Sequence, residues 1–105
     1  MKTGKDHAGN NKGEYYFLNE DNNVELKEIY WSPNKLVFSI HTRNETIDNT
    51  LILNQNYYPG WVVTKDGNKC QRVTNLNGLL ATKIEKSYSQ VIYKYDPFEF
   101  YLVCR

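Results

Sequence analysis

The chain has 105 residues, 40% of them hydrophobic and 14% aromatic, with a formal net charge of +1. A chain of this length can bury one core but not two, and this apolar content is well above what disordered chains carry, so a single folded domain is expected. Acidic and basic residues are interspersed and nearly balanced, which removes the basic face that nucleic-acid binding needs to displace counterions from phosphate.

The opening MKTGKDHAGNNKG has lysines with no apolar run behind them, so it does not read as a signal peptide. No stretch reaches the roughly 20 apolar residues of a spanning helix, and read alone the chain is expected to be soluble. Residues 1–13, rich in Gly, Asn and Lys, are expected to form a disordered lead-in to one β domain over residues 14–105.

From there the pattern is strand. EYYFL, from Glu14 to Leu18, is a short aromatic strand, and NEDNN supplies a turn, since Asn and Asp tolerate left-handed backbone. VELKEIYW alternates Val24 and Leu26 with Glu25 and Lys27 until Ser32-Pro33-Asn34 breaks it. KLVFSIH places Leu36, Phe38 and Ile40 on one face; after the polar connection TRNETIDN, Leu51 and Leu53 repeat the pattern in TLILNQ.

The stretch NQNYYPGWVVTKDGNK carries two turn signals. In Tyr58-Pro59-Gly60-Trp61, proline sets φ near −65° and glycine accepts the positive φ that a type II turn needs next. Asp66-Gly67 predicts a hairpin with a primed turn between WVVT and KCQRV, and Asn77-Gly78 predicts another between CQRVTN and LLATKIE. SQVIYKY sets Val91, Tyr93 and Tyr95 on one face, and Phe98, Phe100 and Leu102 continue at period two. Seven or eight short strands with turn signals and no helical window predict an all-β fold, an antiparallel sandwich of the immunoglobulin-like or jelly-roll-like kind, with Trp61 and Phe38 in its core.

Candidate chemistry is sparse. Cys70 and Cys104 match no metal-ligand spacing and His7 and His41 are scattered, so no metal or cofactor is expected. Free buried thiols are the favoured state of the cysteines, with a disulfide the alternative in an oxidising compartment. Asp66 is explained by its turn rather than as a catalytic carboxylate, Ser32, Ser39, Ser87 and Ser89 have no nucleophile-elbow context, and His41 has no identifiable partner, so no catalytic residue is assigned. Asn44-Glu45-Thr46 fits a glycosylation sequon, a short motif that arises readily in an Asn-rich chain. Tyr57 and Tyr58 are the candidate ligand-binding pair, since exposed rings form platforms on which sugar faces stack. Pro59, Gly60, Trp61, Asp66, Gly67, Asn77 and Gly78 read as structural, and the corner as a whole as mainly architectural.

The order WSPNKLVFSI, LILNQNYYPGWVVTKDGN, NGLLATKI and VIYKYDPFEFYL resembles the extracytoplasmic C-terminal domain of the large bacterial YfhO-like membrane proteins, polytopic relatives of lipid-linked-sugar glycosyltransferases. The likeness runs from about Val24 onward, and YYPGW-x-V-x-x-DG is its most specific part. Where such proteins often have Gly-x-His before the last strand, this chain has Ser87, Tyr88 and Ser89, so its final turn must be made without glycine. The resemblance implies a non-catalytic domain on the extracytoplasmic face of a bacterial membrane, tethered to the membrane-embedded remainder of a parent protein. It would assist glycosylation of a cell-envelope glycan or polymer. The alternative is an independent cell-surface module that binds carbohydrate or a protein partner through Tyr57 and Tyr58.

Overall fold

A computed structural model describes residues 14–20 and 23–104. The expected lead-in over residues 1–13 lies outside them. Among the described residues the chain forms β1 (Tyr15–Phe17), β2 (Val24–Ser32), β3 (Lys35–Thr42), β4 (Asn49–Asn56), β5 (Trp61–Lys65), β6 (Gln71–Arg72), β7 (Thr74–Leu76), β8 (Leu79–Ile84), β9 (Tyr88–Tyr95) and α1 (Pro97–Leu102). The strands make two antiparallel sheets, one in the order β2-β3-β9-β5-β6 and the other β1-β4-β8-β7. The predicted all-β sandwich is the architecture.

The core forms where period-two alternation said it would. Leu36, Phe38 and Ile40 of β3, Val91 and Tyr93 of β9, and Leu51 and Leu53 of β4 are all buried between the sheets. Each contributes roughly 1.5 to 3 kcal/mol by leaving water. Phe38 is the hub, with the rings of Tyr15, Tyr93 and Trp31 edge-on to it at 5.0, 5.9 and 6.4 Å. Trp61 is buried as expected.

Bulges decide what alternation alone could not. On β2, Glu28 pairs with Phe38 and Tyr30 with Val37, so Ile29 is an extra residue. The inward phase of Val24 and Leu26 therefore resumes at Trp31, and Ile29 and Tyr30 stay exposed. On β4 the partner of Leu53 is Leu80 and that of Asn56 is Leu79, which leaves Asn54 and Gln55 outside the ladder.

Both primed turns form as predicted: Asp66 and Gly67 have φ of 51° and 77°, and Asn77 and Gly78 have 53° and 86°. The expected strand count falls short because CQRVTN is two strands. Gln71–Arg72 pairs with β5, Thr74–Leu76 pairs with β8, and buried Val73 marks the passage from one sheet to the other. The last turn, without glycine, is held by side chains: Ser87 Oγ accepts from Thr42 N at 2.9 Å, and Tyr88 Oη donates to Glu85 Oε1 at 2.8 Å.

Two expectations fail at the C-terminus. Phe98, Phe100 and Leu102 do not continue a strand; they lie on α1. Asp96 caps the helix by accepting from Glu99 N at 3.1 Å, and Pro97 sits in the first turn, where a missing N–H is harmless. Asp-Pro-x-Glu is a helix-start signal that the apolar alternation around it masked. Only Phe100 on this helix is buried, against Val62, Cys70 and Cys104 on the outer face of the five-stranded sheet. Nor are the cysteines free thiols: Cys70 and Cys104 form a disulfide, with Cα atoms 5.1 Å apart, within the usual span. The helix turns the chain back, which brings Cys104 beside the start of β6 as a continued strand would not.

Candidate functional site

The bend at Tyr58-Pro59-Gly60-Trp61 is an arch between sheets rather than a hairpin, since it leads from β4 in the four-stranded sheet to β5 in the five-stranded one. Gly60 takes φ +128°, well past the value of about +80° for a type II turn. Its carbonyl accepts from Asp96 N at 2.7 Å, tying the arch to the end of β9. A Cβ at Gly60 would lie 2.6 Å from Tyr95 Cε1 and 3.3 Å from Pro97 Cγ. Glycine is required there because the Tyr95 ring lies against its backbone.

That close approach sets Tyr95 edge-on to Trp61, ring centres 5.8 Å apart, at the mouth of an open groove of about 510 Å³ across the strand ends. Tyr58 forms another wall and is 58% exposed; Tyr95 is 39% exposed. The rest of the lining is Pro33 with Asn34, from the β2–β3 turn, and Asn54, Gln55 and Asn56. Consecutive residues of a regular strand point to opposite faces, so three adjacent amides sharing one groove is the work of the β4 bulge. The side chains of Asn34, Gln55 and Asn56 make no hydrogen bond to another described residue. Among the described residues no lining residue carries a charge.

Of the sequence-predicted pair, Tyr58 lines the groove, while Tyr57 is half-buried against the core and its N–H donates to Gly78 O at 2.8 Å. Sequence reasoning missed Asn34, the three amides and Tyr95. The signals were NQN, which interrupts the apolar run of β4, and the period that carries the face of Val91 and Tyr93 on to Tyr95.

The opposite end of the sandwich is ionic. Lys65 Nζ donates to Lys83 O at 2.8 Å and pairs with Glu85 at 3.4 Å. Burial pushes the Glu85 carboxyl up, but the Tyr88 hydroxyl and Lys65 outweigh it and hold the group below its ordinary range. Burial, with the Glu85 carboxylate adding, pushes the Tyr88 hydroxyl from 10.0 up to about 12. Asp66, the one acid weighed for catalysis, is engaged in its turn: Oδ1 accepts from Gln90 N at 2.8 Å. His41 is exposed on β3, Asn44-Glu45-Thr46 lies exposed after it, and His7 falls outside the described residues.

Cys70, Glu99 and Cys104 bring two sulfurs and a carboxylate oxygen within 4.8 Å of one another. The sulfurs are bonded to each other, and metal ligation requires thiolates. Among the described residues no helix is long and apolar enough to cross a membrane.

Fold and groove together define an antiparallel β-sandwich whose described residues form a site of amides and aromatic rings across its strand ends. Comparison with protein-family models, with curated proteins and with solved structures finds no match for this chain.

Proposed function

We propose that this chain is a non-catalytic domain working on the extracytoplasmic face of a bacterial membrane. It is carried by a polytopic protein of the YfhO-like, glycosyltransferase-related type, and it helps position a cell-envelope glycan or polymer for chemistry done elsewhere in that protein. The observation that carries the reading is the disulfide between Cys70 and Cys104, because such bonds persist in oxidising compartments and are rare in the cytosol. The groove is compatible with a binding role: among the described residues it is lined by rings and amides.

The test is made on the protein in intact bacterial cells. Alkylation without reductant should leave both cysteines unlabelled, and labelling should follow treatment with a reductant that does not cross membranes. Free labelling without reductant overturns the location, and a parent reading frame without a membrane-spanning segment overturns the tether. A second reading, an independent cell-surface module for carbohydrate or a protein partner, is favoured by the exposure of Tyr58 at the groove. The same reading frame separates the two.

A further inference from the structure

We infer that the groove is a binding site for a neutral oligosaccharide, with Tyr58 and Tyr95 as stacking surfaces and Asn34, Gln55 and Asn56 as partners for sugar hydroxyls. A pyranose ring offers an apolar face of C–H groups and a rim of hydroxyls, each both donor and acceptor. The two exposed tyrosines match the face, since a ring buries apolar area at small entropic loss. Primary amides match the rim, because each carries a carbonyl acceptor beside two N–H donors.

The same lining argues against other ligands. Among the described residues an anion would find no lysine, arginine or histidine on the walls. A lipid chain or apolar peptide would cover amides without pairing them, and a buried unpaired amide is costly. A peptide adding as an extra strand needs a sheet edge, whereas β4 and β9, which meet here, are interior strands of their sheets. The β4 bulge strengthens the case, for it turns three adjacent amides toward one space, and bulges recur where a side chain must be re-aimed.

The inference deepens the proposed function, resting on it for the source of the glycan, yet the two fail separately. Paired cysteines in cells without sugar binding keep the location and sink the groove; sugar binding with free cysteines in cells does the reverse.

The experiment is an amide-resonance titration of the whole chain with four neutral tetrasaccharides: cellotetraose, maltotetraose, mannotetraose and the N-acetylglucosamine tetramer. At least one should shift resonances at residues 34, 54–58 and 95. Tyr58→Ala should weaken that binding about fivefold or more. Gln55→Ala, in the bulge and away from the core, should weaken it by a similar factor, and Tyr101→Ala on the helix should leave it unchanged. The inference is overturned if no tetrasaccharide shifts these residues at about 10 mM, a concentration that would saturate even a site with Kd of about 1 mM. It is equally overturned if both groove variants bind as the parent does, or if a tetragalacturonate binds more tightly than every neutral member.

Discussion

Strand β9 begins in a network of engaged polar side chains and ends beside a groove that leaves several unengaged. At its start, Tyr88 is bonded to Glu85, Lys65 reaches both Glu85 and Lys83, Ser87 holds Thr42, and Asp66 bonds Gln90 through backbone and side chain alike. At its end the backbone is tied as firmly, with Tyr95 N on Asn34 O at 3.0 Å and Asp96 N on Gly60 O, yet the side chains of Asn34, Gln55 and Asn56 engage no described residue. Both ends satisfy their main chain, and the second has ion pairs of its own, from Lys94 to Asp96 and Glu99, but it leaves these three amides over. A rigid frame carrying unengaged polar groups beside exposed rings is a condition for recognition without rearrangement.

The largest test of this contrast is the disulfide. Replacing Cys70 and Cys104 by serine should lower unfolding free energy by about 2 to 4 kcal/mol in a denaturant melt. Since only Asp96 separates Tyr95 from α1, hydrogen exchange should quicken around Tyr95 and β5 while Gln90 keeps its protection. Equal loosening at both ends would break the comparison.

Next in size is Gly60→Ala. A Cβ against the Tyr95 ring at positive φ should destabilise the chain by about 2 kcal/mol. The same change should displace Tyr95 and weaken oligosaccharide binding, with far-end resonances unmoved.

Alkaline pH probes the other end. Tyr88 and Tyr93 both have hydroxyls raised by burial, Tyr88 from 10.0 to about 12. A raised group binds its proton more tightly when folded, so its contribution is complete below pH 10.0 and is lost as pH climbs through the folded value. Denaturant midpoints should fall between pH 10 and about 12, less steeply in Tyr88→Phe. A flat profile would contradict the burial of these hydroxyls.

Asp66→Ala should be milder, about 1 kcal/mol, from loss of the bond to Gln90 N. Its effects should stay at the ionic end. Tyr58→Ala should change stability least, within about 0.5 kcal/mol, because the ring is mostly in solvent. Stability intact and binding lost in one variant would sharpen the division between frame and site.

Much of the frame was legible from residues close together in sequence. Leu36, Phe38 and Ile40 announce an inward face, and Asp66-Gly67 and Asn77-Gly78 announce backbone that turns with positive φ, because both signals act over a few residues. The C-terminus misled for an instructive reason: alternating Phe98, Phe100 and Leu102 imitate a strand, and the cap and proline at Asp96-Pro97 decide otherwise. The groove was half legible. Tyr58 stood out as an exposed ring at a bend and periodicity set the face of Tyr95, but Asn34 and Tyr95 are far from Tyr58 in sequence and no local pattern says that they meet it.

By itself, then, the order of residues determined the antiparallel layers, their inward faces and their tight turns, since alternation and local torsional preference need only neighbours. Tertiary structure alone decided that Val73 divides a strand between sheets, that the β4 bulge gathers three amides, and that Cys104 meets Cys70. Each of those depends on contacts between distant segments, whose free energy is settled only once the two sheets have closed on one another.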